Sequence, residues 1–145
     1  SALLAAGLSD IRVSNRTRAR AEAVAALADT SENSGGVRVF DWAVRTQAAE
    51  GATLLVNTTS LGMQGAQALD MSLDTLAAKA TVADIVYVPL ETDLLARARS
   101  LGHMPVNGLG MLVHQAAYAF DLWFGQHPAF DNVLRDRLNR DLGET

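Results

Sequence analysis

The chain has 145 residues but no cysteine, and it contains only three prolines and a single lysine, Lys79. Without cysteine it cannot be a disulfide-stapled domain, and the three histidines, His103, His114 and His127, lack the spacing of zinc ligands. We therefore expect no metal site. The formal net charge of −4, with arginines scattered along the chain, argues against a nucleic-acid surface, which needs clustered basic residues.

Long hydrophobic runs are also absent, because every apolar stretch is interrupted well before the roughly 20 residues that a membrane-spanning helix needs. No basic segment followed by an apolar run and a cleavage site opens the sequence, so we expect a cytoplasmic protein without a membrane partner. Apolar residues nevertheless make up 49% of the chain, which is enough for one globular domain with a core.

Strand patterns alternate with helical patterns along the chain. Strands are predicted at 10–14, 37–40, 52–57, 82–86 and 104–106. Helices, capping residues included, are predicted at 1–6, 17–28, 41–49, 72–78, 92–101, 109–124 and 129–142, and a loop at 30–36. This alternation with short connections predicts an α/β fold, a doubly wound and mainly parallel sheet with helices on both faces.

Polar residues follow the predicted strands at their carboxyl ends, where ligands collect in parallel sheets. These residues are Asn15 to Thr17, Asn57 to Ser60, Tyr87, and Asn107 with Gly108. Their coincidence at one edge of the sheet carries more weight than any one of them, and it predicts a binding site there.

Asn15 and Arg16 stand where the second strand of a Rossmann unit would end. An acidic residue at this place reads the ribose 2′-hydroxyl of NAD, whereas arginine accommodates the 2′-phosphate of NADP. Thr17 adds a hydroxyl at a helix start, and Arg20 lies one turn further on the same side. The residues therefore favour NADP, although an ordinary pair of solvated arginines after a capping threonine explains them too.

The other strand ends give weaker signals. Thr59 and Ser60 can supply hydroxyl groups and backbone donors to a nicotinamide ribose, but a plain polar turn has the same composition. Tyr87 can present its phenol to a substrate or pack beside Pro89.

The segment 107–125 predicts a long helix that is buried on most of its surface and opens at Gly108 and Gly110. Met111 and Gln115 share one face of it. A buried amide needs hydrogen-bond partners, so Gln115 either bonds to neighbouring backbone or faces a polar ligand. The two glycines let a ligand approach the backbone closely.

Four segments, in this order and register, closely resemble the shikimate dehydrogenase family. They are NRT at 15–17, VNTTSLGM at 56–63, DIVYVPLET at 84–92 and GLGMLVHQ at 108–115. The resemblance covers nearly all of the chain. It implies an oxidoreductase that uses NADP for the reversible reduction of 3-dehydroshikimate to shikimate, a step toward chorismate and the aromatic amino acids.

The resemblance also implies roles for individual residues. The adenosine 2′-phosphate would be held by Asn15, Arg16, Thr17 and Arg20. The nicotinamide half would be lined by Thr59, Ser60, Ile85, Gly108 and Met111. The small-molecule substrate would contact Tyr87 and Gln115.

One departure from the family pattern is large. Family members begin with a substrate domain that bears a catalytic lysine and aspartate, followed by a first Rossmann strand and a glycine-rich diphosphate loop, and this sequence has none of these. We therefore expect residues 1–145 to be a partial NADP-binding Rossmann domain that is incomplete at its N-terminal end. A gap would replace the central strand of the usual 3-2-1-4-5-6 order.

Such a domain would carry no catalytic residue of its own and would be inactive alone, while its parent enzyme could form a homodimer. Two alternatives stay open. One is a quinate/shikimate dehydrogenase paralogue, and the other is a non-catalytic nucleotide-binding domain.

Overall fold

The computed structural model describes residues 2–28 and 36–143. The loop predicted at 30–36 lies outside these residues, except for Gly36, which begins a strand. The chain divides into two compact units, Ser1–Gly51 and Ala52–Thr145.

The first unit contains one parallel pair of strands. Its elements are α1 (Ala2–Ala5), β1 (Asp10–Asn15), α2 (Arg18–Ala26), β2 (Gly36–Asp41), a 3-10 helix (Trp42–Val44) and α3 (Arg45–Ala48). β1 and β2 run parallel, with Asn15 opposite Asp41. Arg12 of β1 donates to the carbonyl oxygens of Ala48 (3.0 Å) and Glu50 (2.6 Å), so it fastens the end of α3 to the strand.

The second unit contains a three-stranded parallel sheet in the order β3-β4-β5. Its elements are β3 (Leu54–Asn57), β4 (Thr81–Asp84), α4 (Asp93–Ser100), β5 (Met104–Val106), α5 (Leu109–Phe124) and α6 (Asn132–Gly143). Leu73, Val82 and Leu94 are at most 2% exposed and form the centre of its core. Thr92 caps α4 as predicted, because its hydroxyl accepts from the backbone N–H of Leu95 at 3.4 Å.

The predicted α/β class is confirmed, since the paired strands of the described residues run parallel and helices follow β1, β2, β4 and β5. β3 leads to β4 through turns alone. The strands form two sheets rather than one. Within each sheet, the order is the one expected on either side of the predicted gap. Among the residues described, no helix combines the length and apolar character that crossing a lipid bilayer requires.

The helix predicted at 72–78 is wrong, because the structure has only turns there. Leu69 and Met71 are buried, and their carbonyl oxygens accept hydrogen bonds from Arg97 at 2.8 and 2.7 Å. These bonds satisfy the backbone that leads into residues 72–78. Within that segment the N–H of Ala77 donates to the carbonyl oxygen of Ala52 at 3.1 Å, where an α-helix would have it donate to that of Leu73.

The predicted extent of α5 is confirmed, but its predicted burial is wrong. Its buried residues are Leu109, Val113 and Ala117, which recur every four positions and form one narrow stripe. Tyr118 and Trp123 are 65% and 76% exposed. An apolar sequence shows that a helix can be buried on several faces, but not which of those faces its neighbours cover.

Candidate functional site

The loop between β1 and α2 carries the residues predicted to hold a phosphate. β1 ends at Asn15, whose side-chain oxygen accepts from the backbone N–H of Thr17 at 2.8 Å. This bond is an Asx turn, which fixes the backbone as the chain enters α2. Thr17 makes no side-chain capping bond, so its hydroxyl is available to a ligand at the helix start.

The arginines of this loop and of the first turn of α2 differ in their partners. Arg18 donates to Asp41 at 2.6 Å and to Glu22 at 2.8 Å, and the hydrogen bond with Asp41 is the main reason that the pKa of Arg18 is raised. Arg16 and Arg20 are exposed, and neither forms a side-chain hydrogen bond or ion pair with any other described residue. Among the described residues, nothing therefore competes with an incoming anion for these two cations.

A cleft of about 420 Å³ lies at the carboxyl ends of β3 and β4 in the second unit. Five residues predicted to contact ligand line it, namely Thr59, Ser60, Ile85, Tyr87 and Met111. They come from three separate segments of the chain, which the fold brings together. Apolar walls with a few hydroxyl groups suit a flat ring with polar substituents.

Gly108 lies beside this cleft but is not among the residues that line it. It is buried, and its N–H donates to the carbonyl oxygen of Val86 at 3.1 Å. A Cβ atom at Gly108 would overlap the carbonyl oxygen of Ile85 and lie 2.8 Å from that of Val86. The glycine therefore allows α5 to start directly against the segment that follows β4.

Gln115 does not reach the cleft in this structure. It lies one turn after Met111 on α5, is exposed, and makes no side-chain hydrogen bond to a described residue. The expectation that burial would force a partner on this amide is therefore wrong, since water can solvate it. Its predicted contact with substrate stays a prediction.

A buried hydrogen-bonded network supports the cleft, and the sequence did not predict it. Asp84 Oδ1 accepts from Asn57 Nδ2 at 3.0 Å and from the N–H of Val86 at 3.1 Å. Asp84 Oδ2 accepts from the Thr92 hydroxyl at 2.8 Å, and Asn57 Oδ1 accepts from the N–H and hydroxyl of Thr59. The sequence does contain one signal of this network, since each of the two apolar strands ends in a polar residue. These residues, Asn57 and Asp84, are paired in register.

Binding and orientation are what these side chains can do chemically. Tyr87 is the one titratable side chain among the residues that line the cleft. Within the described residues, no group of three or more histidine, cysteine, aspartate or glutamate side chains could hold a metal ion. The arrangement thus fits a surface that binds and orients a ligand.

Comparison with known proteins gives the family. The model of the shikimate 5′-dehydrogenase C-terminal domain matches residues 108–135. A shikimate dehydrogenase (NADP+) from Paramagnetospirillum magneticum is 51% identical over 135 residues, which are 93% of this chain and 47% of that protein. One from Methylobacterium radiotolerans is 53% identical over 136 residues, 94% of this chain and 46% of the relative. The chain belongs to the shikimate dehydrogenase family.

Solved structures of the family agree with this assignment. A quinate dehydrogenase from Corynebacterium glutamicum in complex with NAD is similar with a TM-score of 0.82 and 28% identity, covering 99% of this chain and 49% of that one. A shikimate 5-dehydrogenase from Thermus thermophilus in complex with NADP(H) and shikimate has a TM-score of 0.74 and 33% identity, with coverages of 97% and 49%. The chain spans about half the length of the relatives that it matches.

Proposed function

We propose that this chain is the cofactor-binding part of an NADP-dependent shikimate dehydrogenase. The parent enzyme would catalyse the reversible reduction of 3-dehydroshikimate to shikimate, a step toward chorismate and the aromatic amino acids. The names of the relatives from Paramagnetospirillum magneticum and Methylobacterium radiotolerans support the activity and the cofactor. Because the chain spans about half of each relative, the substrate domain would be supplied by other residues of a longer polypeptide.

One observation supports this function above the others. Residues that the family pattern assigns to the nicotinamide half and to the substrate, including Thr59, Ile85 and Met111, converge on a single cleft. Arg16 and Arg20, which have no side-chain partner among the described residues, add the positive charge that an adenosine 2′-phosphate requires.

When bound, NADPH supplies the hydride that reduces the ketone carbon of the substrate. This chain's own residues would bind and orient. Thr59 and Ser60 would bond the nicotinamide ribose, Met111 and Ile85 would flank the ring, and Tyr87 would present its phenol to the substrate. Holding reacting groups in near-attack geometry is a large part of the rate in such enzymes.

The experiment that tests the proposal compares the 145-residue chain with the longest natural polypeptide that contains it. By calorimetry the chain should bind NADP+, but it should not reduce NADP+ when shikimate is added. The longer polypeptide should do both. Normal turnover by the chain alone would show that the proton chemistry is wrongly assigned to residues outside it. Failure of both polypeptides to bind NADP+ would overturn the proposal.

A second candidate, quinate or dual quinate/shikimate dehydrogenase, is favoured by the likeness to the quinate dehydrogenase in complex with NAD. The ratio of kcat/KM values for shikimate and quinate, each measured with NADP+ and NAD+, separates the two enzymes. NADP+ binding by a natural polypeptide that lacks activity on both substrates would instead favour a non-catalytic nucleotide-binding domain. The expected cytoplasmic location and homodimer stay predictions.

A further inference from the structure

Three polar side chains are buried within the described part of the second unit, and they contact one another. Asn57, Asp84 and Thr92 are 4%, 2% and 1% exposed. Burying polar groups costs free energy, and well-packed apolar residues often stabilise a core at least as well. A satisfied network of hydrogen bonds does something that apolar contacts do less well, because it fixes the positions of particular backbone groups.

One oxygen of the Asp84 carboxylate is hydrogen-bonded to two of the three segments that form the cleft, directly to the segment after β4 and through Asn57 to the segment after β3. Oδ1 accepts from the N–H of Val86, within the segment that carries Ile85 and Tyr87, and from Asn57 Nδ2. The same Asn57 nitrogen donates to the carbonyl oxygen of Leu61 at 3.0 Å.

Asn57 passes this restraint on to the segment after β3. Its oxygen accepts from the N–H of Thr59 at 3.0 Å and from the Thr59 hydroxyl at 2.8 Å, and that hydroxyl accepts from the N–H of Leu61 at 3.1 Å. The position of Thr59, a residue that lines the cleft, is therefore set by an amide whose own orientation is set by Asp84.

The second carboxylate oxygen points to a different part of the unit. Oδ2 accepts from Thr92, which caps α4 and is not among the residues that line the cleft. Thr92 thus shares the burial and the network but not the direct link to the cleft, which makes it a matched control within the same chain.

We propose that Asp84 is a positioning residue for the cofactor cleft, acting through Asn57 and the N–H of Val86 on the two segments that carry Thr59, Ile85 and Tyr87. This role rests on the proposed function of the cleft. The fixed positions of these segments would depend on a buried carboxylate that touches neither cofactor nor substrate. The affinity for the nicotinamide half would depend on it in turn.

The test uses the 145-residue chain with two probes, NADP+ and adenosine 2′,5′-bisphosphate, which lacks the nicotinamide half. Asn57→Ala and Asp84→Ala should each lower the affinity for NADP+ about tenfold, equal to about 1.4 kcal/mol. Neither should change the affinity for the bisphosphate. Asp84→Asn should keep most of the NADP+ affinity of the unaltered chain, because its side-chain oxygen can still accept from Asn57 and Val86. Thr92→Val should lower the thermal midpoint without changing either affinity.

Parallel weakening of both probes, or an equal loss of NADP+ affinity in Thr92→Val, would overturn the positioning role. Absence of NADP+ binding to the unaltered chain would be a failure of the proposed function, and hydrogen exchange then decides the inference. In Asn57→Ala the amides of Thr59 and Leu61 should exchange faster than in Thr92→Val at a matched loss of unfolding free energy, and equal exchange would contradict the proposal. If Asp84→Ala fails to fold, Asn57→Ala alone is used for both measurements, the ligand affinities and the hydrogen exchange.

Discussion

Residues 15–20 of the first unit, which are the end of β1, a short loop and the first residues of α2, hold their functional side chains differently from the cleft of the second unit. In the loop, the side-chain oxygen of Asn15 fixes the backbone, and Arg16 and Arg20 remain exposed and without partners among the described residues. Behind the cleft, the buried side chains of Asn57 and Asp84 form hydrogen bonds that fix the backbone of the segments lining it. Affinity in the loop should therefore depend on charge, and affinity in the cleft on the fixed position of its walls.

The largest expected effect on stability comes from adding a side chain at Gly108, where α5 begins against the segment after β4. Gly108→Ala would overlap the carbonyl oxygen of Ile85, so the backbone must shift, and we expect a loss of about 3 kcal/mol in the free energy of unfolding. Denaturant unfolding measures this loss, and NADP+ affinity should fall while adenosine 2′,5′-bisphosphate still binds the folded variant.

Gly110 provides the matched control on the same helix. A Cβ there meets nothing within 4 Å, so Gly110→Ala should leave stability unchanged or raise it by up to about 1 kcal/mol through helix propensity. A destabilisation of Gly110→Ala as large as that of Gly108→Ala would contradict the packing argument.

Removing charge from the loop should have the next largest effect. Arg16→Gln should weaken NADP+ by about 2 kcal/mol, the size expected for a hydrogen bond to a charged group, and leave NAD+ nearly unchanged. Arg16→Asp should invert the cofactor preference. Titration calorimetry with both cofactors measures the ratio of affinities.

Arg18→Gln is the control for this prediction, because it removes the same charge from a side chain that already pairs with Asp41 and Glu22. It should change the NADP+ to NAD+ ratio far less than Arg16→Gln does. Equal effects of the two variants would mean that general charge, and not a specific phosphate contact, governs the preference.

A smaller effect is expected from salt, which should weaken the binding of a phosphate by the exposed arginines. The Debye length falls from about 10 Å at 0.1 M to about 3 Å at 1 M salt, so attraction by the exposed Arg16 and Arg20 should be screened. Adenosine 2′,5′-bisphosphate should bind several-fold more weakly at high salt, and less steeply in Arg16→Gln. A salt dependence that is identical in the variant would exclude Arg16 from the binding of the phosphate.

The smallest expected effect lies at the start of β1. Hydrogen bonds from Arg12 and then Arg38 hold the pKa of Asp10 below its usual value. A depressed pKa stabilises the folded state above the unfolded pKa, and this contribution is lost as the pH falls from the unfolded pKa through the folded pKa. Asp10→Asn should flatten the acid side of the stability profile slightly without changing cofactor affinity, and an unchanged acid slope would contradict the linkage.

Local features of the fold could be predicted from the sequence. Thr92 was predicted to cap α4, and the extent of α5 was predicted from its apolar run and its flanking glycines. Both signals depend on residues within a few positions of each other.

Features that depend on distant residues could not be predicted. Asn57 and Asp84 are 27 residues apart, and only the register of β3 with β4 brings their side chains together. The pairing of Arg18 with Asp41 likewise depends on the register of β1 with β2, and among the described residues Arg16 and Arg20 have no such partner. The exposure of Gln115 depends on which stripe of α5 is covered.

A crystal structure of the chain with NADP+ tests the role of Arg16 most directly. The guanidinium of Arg16 should lie within hydrogen-bonding distance of the 2′-phosphate, with the nicotinamide ring against Ile85 and Met111. An Arg16 side chain that points into solvent, with the phosphate held by other residues or by none, would contradict this role.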